Sequence, residues 1–269
     1  MTVDAPRSSG VTRRTGIFVS VLALMVLICF IDSRWVAERV PHAQWISNVI
    51  MALYFVWMYR DAGVRLRRLM KYGVVVATVG EVFFSLVVGM YEYRLENVPL
   101  YVPPGHSILY GAVYYMAREP WVLRNRDAMI RGMVVVAVAY AAYWGWAHAD
   151  AYGALCTAGF LLLMALNKDS RLFFAVMFLA VAYLEQVGTR FGCWYWHETL
   201  LNRVSWFPSG NPPSGIAIFY FGFDVTCLWA LLVRDKRLHM RWKRLRDRAR
   251  GDAEAGPAYA GGPSQPGLS

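Results

Sequence analysis

Three carboxylates stand in this chain where carboxylates are costly to keep. Glu81 lies in the middle of KYGVVVATVGEVFFSLVVGMYEYR, Glu185 near the end of RLFFAVMFLAVAYLEQVGTR, and Asp224 inside GIAIFYFGFDVTCLWALLV. Ionisable residues within membrane-length apolar runs are rare and mark functional sites by default. In apolar surroundings a carboxyl group can stay protonated at neutral pH and act as an acid. The plainer role for each is a hydrogen bond to a neighbouring helix. His106, in PPGHS at a helix start, is a fourth candidate, since histidine carries protons near neutral pH. His42, His148 and His197 also sit at the ends of apolar runs or in the connections between them. No HxxxH, HxxHH or HExxH pair places two histidines on one helix face, which argues against a di-iron desaturase or a zinc protease. No GxSxG, Walker or Rossmann pattern is present either. The expectation is an acid-bearing site with no metal and no cofactor.

Aromatic residues gather beside the two glutamates. Tyr91 and Tyr93 follow Glu81, while Trp194, Tyr195 and Trp196 follow Glu185, with Trp206 and Phe207 further on. They suit an aromatic belt at a membrane–water interface. Alternatively, some line a pocket and stabilise a cationic intermediate through their π faces. If the helix bearing Glu81 continues unbroken, Glu81, Ser85 and Glu92 form one polar stripe along it.

These residues belong to a chain built for lipid. Of its 269 residues 57% are apolar and 17% charged, against roughly 25% charged in soluble domains. Apolar runs predict an all-α, polytopic helical bundle of about eight spans, near 16–31, 43–59, 73–91, 105–117, 132–147, 151–166, 172–189 and 213–233. The run 105–117 is short and Tyr-rich and also fits a re-entrant segment. With both termini placed in the cytoplasm, only Arg34, Arg39, Arg94, Arg190 and Arg203 of the 28 Lys and Arg residues fall on the outer side. That asymmetry follows the positive-inside bias and accounts for the net charge of +10 without nucleic acid. The expected organisation is a cytoplasmic tail (1–15), a transmembrane domain (16–233), a basic juxtamembrane segment (234–250) that serves as a stop-transfer anchor or lies along the membrane on anionic lipids, and a disordered tail (251–269). The setting is a cell inner or plasma membrane. The four cysteines show no paired spacing and read as small buried apolar residues. Spans 3–4 and 7–8 share a layout of acid, aromatic cluster, Pro-containing outer connection and apolar helix. This fits a tandem four-helix repeat with a central site between its halves, and equally the general tendency of outer loops in membrane proteins to collect Pro and aromatics.

From Glu185 the run E-Q-V-G-T-R-F-G-C-W-Y-W resembles a motif of the polytopic carotenoid-biosynthesis proteins, the membrane hydratases that add water to a terminal carotenoid double bond. Glu185, Gly188, Thr189, Gly192 and Tyr195 occupy the matching places. The resemblance covers about a dozen residues and implies Glu185 as an acid acting on an isoprenoid. Three functions fit the residues. The first is a membrane enzyme of the hydratase, cyclase or isomerase kind, in which Glu81, Glu185, Asp224 or His106 supply the acid. Tyr91, Tyr93, Trp194, Tyr195 and Trp196 would then surround a lipid or isoprenoid substrate. The second is a proton-coupled transporter, and the third a membrane scaffold in which the acids tie helices together.

Overall fold

The N-terminal apolar run folds as α1 (Arg13–Ile31), which buries a stripe of Ile17, Val21, Leu24 and Ile28 and leaves Val19, Leu27 and Phe30 exposed. A short α2 (Arg34–Ala37) leads to α3 (Ala43–Asp61), whose faces are inverted relative to a helix in water. Gln44 and Ser47 are buried, whereas Trp45, Ile46, Val49, Leu53 and Trp57 are exposed. Polar groups turn inward when hydrocarbon surrounds the bundle, because only other helices offer them partners. The Ser47 hydroxyl donates to the Ile28 carbonyl at 3.1 Å, tying α3 to α1.

This computed structural model describes residues 12–222 and 226. They fall in the unit Met1–Cys227, and a second unit, Leu228–Ser269, lies outside them. Asp224, the basic segment 234–250 and the tail 251–269 are thus outside the described residues.

After α3 come α4 (Val64–Glu81), α5 (Val102–Met116), the short α6 (Pro120–Arg124), α7 (Arg126–His148), α8 (Ala151–Leu166) and α9 (Arg171–Arg190), with helical backbone again at 217–222. The fold is mostly helical and all-α in class. Among the described residues four helical stretches are long and apolar enough to cross a membrane: Arg13–Ile31, Val64–Val87, Arg126–His148 and Lys168–Arg190. The apolar runs at 43–59, 105–117 and 151–166 are helical as α3, α5 and α8.

Small residues let α4 and α5 pack along their length. Gly73 faces Ser107, whose hydroxyl donates to the Met70 carbonyl at 3.0 Å; Gly111 of α5 accommodates the end of Met58 from α3. Beyond Glu81 the helix widens into a π turn, Val82–Val87. Gly89, at φ 67°, then reverses the chain into strand β1 (Tyr91–Tyr93). A continuous stripe of Glu81, Ser85 and Glu92 is therefore not formed. Glu81 and Ser85 are buried, but Glu92 sits in a strand and points the other way, exposed. At the end of α9 the same change occurs: Gly192, at φ 68°, turns the chain into β2 (Trp194–Trp196). The two strands pair antiparallel, with Tyr91 opposite Trp196, Glu92 opposite Tyr195 and Tyr93 opposite Trp194. A hairpin of β3 (Thr199–Leu200) and β4 (Val204–Pro208) follows.

Candidate active site

Side chains alternate across a strand, so pairing β1 with β2 sends Tyr91, Tyr93, Trp194 and Trp196 to one face and Glu92 and Tyr195 to the other. The inward face covers the ends of α4 and α9, where the two glutamates wait. Glu81 Oε2 accepts hydrogen bonds from the hydroxyls of Tyr91 and Tyr93, both at 2.6 Å, and its Oε1 lies 2.7 Å from His106 Nε2 on α5. Glu185 Oε2 accepts from the indole N–H of Trp194 at 2.8 Å and of Trp196 at 3.0 Å, and its Oε1 accepts from the Tyr220 hydroxyl at 3.1 Å. Each acid is thus held by two aromatic donors from its own strand and one group from a following helical segment.

Gly188 makes this arrangement possible on the Glu185 side. A Cβ there would run into the Trp194 ring, so glycine lets the indole lie flat against α9 and reach back to Glu185. The rings also pack on one another. Tyr91 and Trp196 have centroids 4.5 Å apart, Tyr93 and Trp194 meet edge-on at 6.1 Å, and His106 stacks on Tyr220 at 4.7 Å.

Both carboxylates face one cavity, walled otherwise by apolar and aromatic groups including Met25, Ile28, Met51 and Phe84. Its interior leaves about 70 Å³ to the centre of a water-sized sphere. One water needs roughly 10–15 Å³ by that measure, so a small part of an apolar molecule fits between the acids. Glu81 and Glu185 are 3% and 4% exposed. Burial, and then the charge of Glu81, push the Tyr93 phenol well above its ordinary range, so it stays a proton donor to the carboxylate.

Two further aspartates, both fully buried, hold the connections around the cavity. Asp32, just past α1, forms an ion pair with Arg94 and accepts from the Tyr101 hydroxyl at 2.8 Å. Arg94 also donates to the Asp32 carbonyl at 2.8 Å, pinning the end of β1. Asp150, between α7 and α8, accepts from the backbone N–H groups of Gly153, Gly210 and Ser214 at 2.9, 2.8 and 2.7 Å. It thereby fixes the Pro-rich loop that leads to Tyr220.

Of the residues expected from sequence, Glu81, Glu185, His106, Tyr91, Tyr93, Trp194 and Trp196 come together at the cavity. Tyr195 does not. It lies on the opposite face of β2, 41% exposed, because the strand's alternation turns it out. Asp224 lies outside the described residues. Sequence reasoning did not single out Tyr220, Asp32, Arg94, Tyr101 or Asp150. An Asp directly ahead of an apolar run, as Asp150 stands before AYGALCTAGF, is a recognisable N-cap signal; Tyr220 in IFYFGF carries none. Among the described residues no group of three His, Cys, Asp or Glu is placed to hold a metal ion. No family model, curated protein or solved structure matches the chain.

Proposed function

We propose that the chain is an integral membrane enzyme that acts on a lipid or isoprenoid by acid-initiated chemistry, of the hydratase, cyclase or isomerase kind. The observation that carries this reading is the pair Glu81 and Glu185, both facing one apolar, aromatic-walled cavity. Two carboxylates in unlike surroundings divide into an acid and a base. Glu81 has beside it His106, which can carry a positive charge, and suits the ionised role. Glu185 is bonded by neutral donors, and suits the role of the acid, as its resemblance to the carotenoid hydratases also implies. Indole N–H groups only donate, so both bonds to Oε2 are fixed. Oε1, opposite Tyr220, is left as the atom carrying the transferable proton.

In the proposed reaction Glu185 gives that proton to a C=C bond. The π electrons form the new C–H bond, and the adjacent carbon becomes a cation. The faces of Tyr91 and Trp196 stabilise it. Water then adds to the cation and its surplus proton passes to Glu81, giving a hydrate. Without water the cation loses a neighbouring proton to Glu81 beside His106, giving an isomer. If it is first attacked by a second C=C bond of the same molecule and then loses a proton, the product is a ring. An apolar substrate reaches the cavity laterally from the bilayer.

The topology proposed with it has eight crossings and both termini in the cytoplasm of a cell inner or plasma membrane. The four long apolar helices and the outward apolar face of α3 support a membrane setting, and the one-sided Lys and Arg distribution supports the orientation. The β1–β2 end is then outermost.

The test compares lipid extracts, by mass spectrometry, of a host expressing wild type, Glu185→Gln or Glu81→Gln at matched protein levels. Wild type is expected to yield a lipid shifted by one water, or an isomer of changed retention, and each variant at least about 100-fold less. Indistinguishable extracts from an isoprenoid-containing host would contradict the enzyme reading and favour a transporter or scaffold.

A further inference from the structure

A second, larger space lies on the other face of β1 and β2. It measures about 840 Å³ by the same water-sized sphere and is lined by Arg34, Arg94, Arg190, Glu92, Glu96 and Asn211 among others. Such walls are easily wetted. Two residues, Tyr93 and Trp194, line both this vestibule and the carboxylate cavity. They are partners in the β1–β2 register, with ring centroids 6.1 Å apart. One holds Glu81 and the other Glu185. A single layer of side chains therefore separates a polar vestibule from both acids.

In the opposite direction the described residues pack apolar side chains against one another. Passing from the cavity along α1, α3, α4 and α5 toward their other ends, the interior is filled by Val21, Met58, Met70, Ile108 and Leu109, each at most 1% exposed. Among the described residues of that path the Ser107 hydroxyl is engaged by the Met70 carbonyl at 3.0 Å, and an unpartnered polar group in apolar surroundings costs several kcal/mol.

We infer that the vestibule is the entrance by which water and protons reach the carboxylate cavity, with the Tyr93–Trp194 ring pair as the barrier between them. An acid that has given up its proton is recharged from this side, and a water that quenches a cation enters here. The apolar substrate arrives from the lipid, so the two reactants use separate routes. The inference deepens the acid-chemistry reading of the same cavity. Its readout needs no substrate, so either can fail while the other stands.

The probe is the proton shared between Glu81 and His106. Protein labelled with ¹⁵N in the imidazole ring, in lipid nanodiscs and a Cys227→Ala background, is moved into D₂O. The deuterium isotope shift at His106 Nε2, identified by its loss in His106→Gln, gives the exchange rate. Tyr195→Cys, capped by a bulky maleimide, plugs the vestibule without touching the acids and is expected to slow exchange about tenfold or more, as for any opening made harder. Trp206→Cys, capped likewise on an 80% exposed residue outside the vestibule, is expected to leave it unchanged. Tyr93→Ala opens the barrier and should speed exchange. Tyr91→Ala, which removes a bond of the same length to the same oxygen, should not. Equal rates with and without the Tyr195 cap, or exchange in wild type as slow as in the capped protein, would overturn the entrance. The capping comparison decides even if Tyr93→Ala does not fold.

Discussion

The two acids are held by chemically different donors, phenols for Glu81 and indoles for Glu185, and the difference has measurable consequences. Removing one indole N–H leaves a buried carboxyl oxygen short of a partner. Trp196→Phe is therefore expected to lower stability by about 1–3 kcal/mol, read as a lower melting temperature in nanodiscs. An unchanged melt would show that this bond carries no load. The phenols predict a pH effect. Tyr93 in the fold titrates well above the roughly pH 10 of an unfolded tyrosine. A folded value raised above the unfolded one gives stability that is complete below pH 10 and is lost as pH rises beyond it. Melting temperatures from pH 8 to 11 should fall less steeply above pH 10 in Tyr93→Phe than in wild type. Parallel curves would deny the buried-phenol contribution.

At the scale of elements, the site depends on how two helices end. α4 and α9 each stop just past a glutamate, reverse at a glycine of positive φ, and return as a three-residue strand. Gly188 on α9 has no room for a side chain beside Trp194, while Gly132 on α7 has open space around it. Alanine in an open helix position gains about 0.5–1 kcal/mol over glycine, whereas overpacking costs about 1–3 kcal/mol. Gly132→Ala should raise the melting temperature slightly and Gly188→Ala should lower it; the same sign for both would contradict the packing described. Much of this was legible beforehand. Glu81 and Glu185 announce themselves by their cost in apolar runs, and His106 by its place at a helix start. The inward pairing of Tyr91, Tyr93, Trp194 and Trp196 was not legible, since two three-residue strands distant in sequence leave no periodicity to read. Glu92 was misplaced because the widened turn at Val82–Val87 breaks the helical count. Asp32 and Asp150 stand at the edges of apolar runs, where an acid looks unremarkable until the connections fold back onto it.

For the molecule as a whole, two buried aspartates tie connections to helix ends: Asp32 after α1 and Asp150 after α7. Each receives hydrogen bonds from a Pro-containing connection, through Arg94 and Tyr101 or through Gly210 and Ser214. Glu81 and Glu185 are each bonded by two aromatics of the antiparallel pair β1–β2. These correspondences motivate the proposal of a tandem four-helix repeat. Asp32→Ala and Asp150→Ala are then expected to loosen different sides of one cavity. Both should reduce product without removing either glutamate, and loss confined to one variant would weaken the equivalence.

Acid transfer from the protein to carbon is tested most directly by following the proton itself. Membranes containing wild type or Glu185→Gln are incubated in D₂O with a total isoprenoid-rich lipid extract, and the lipids are examined by mass spectrometry. Wild type is expected to place one non-exchangeable deuterium in a product that Glu185→Gln does not form. Equal labelling by the two proteins, or none by folded wild type, would contradict acid-initiated chemistry at this site.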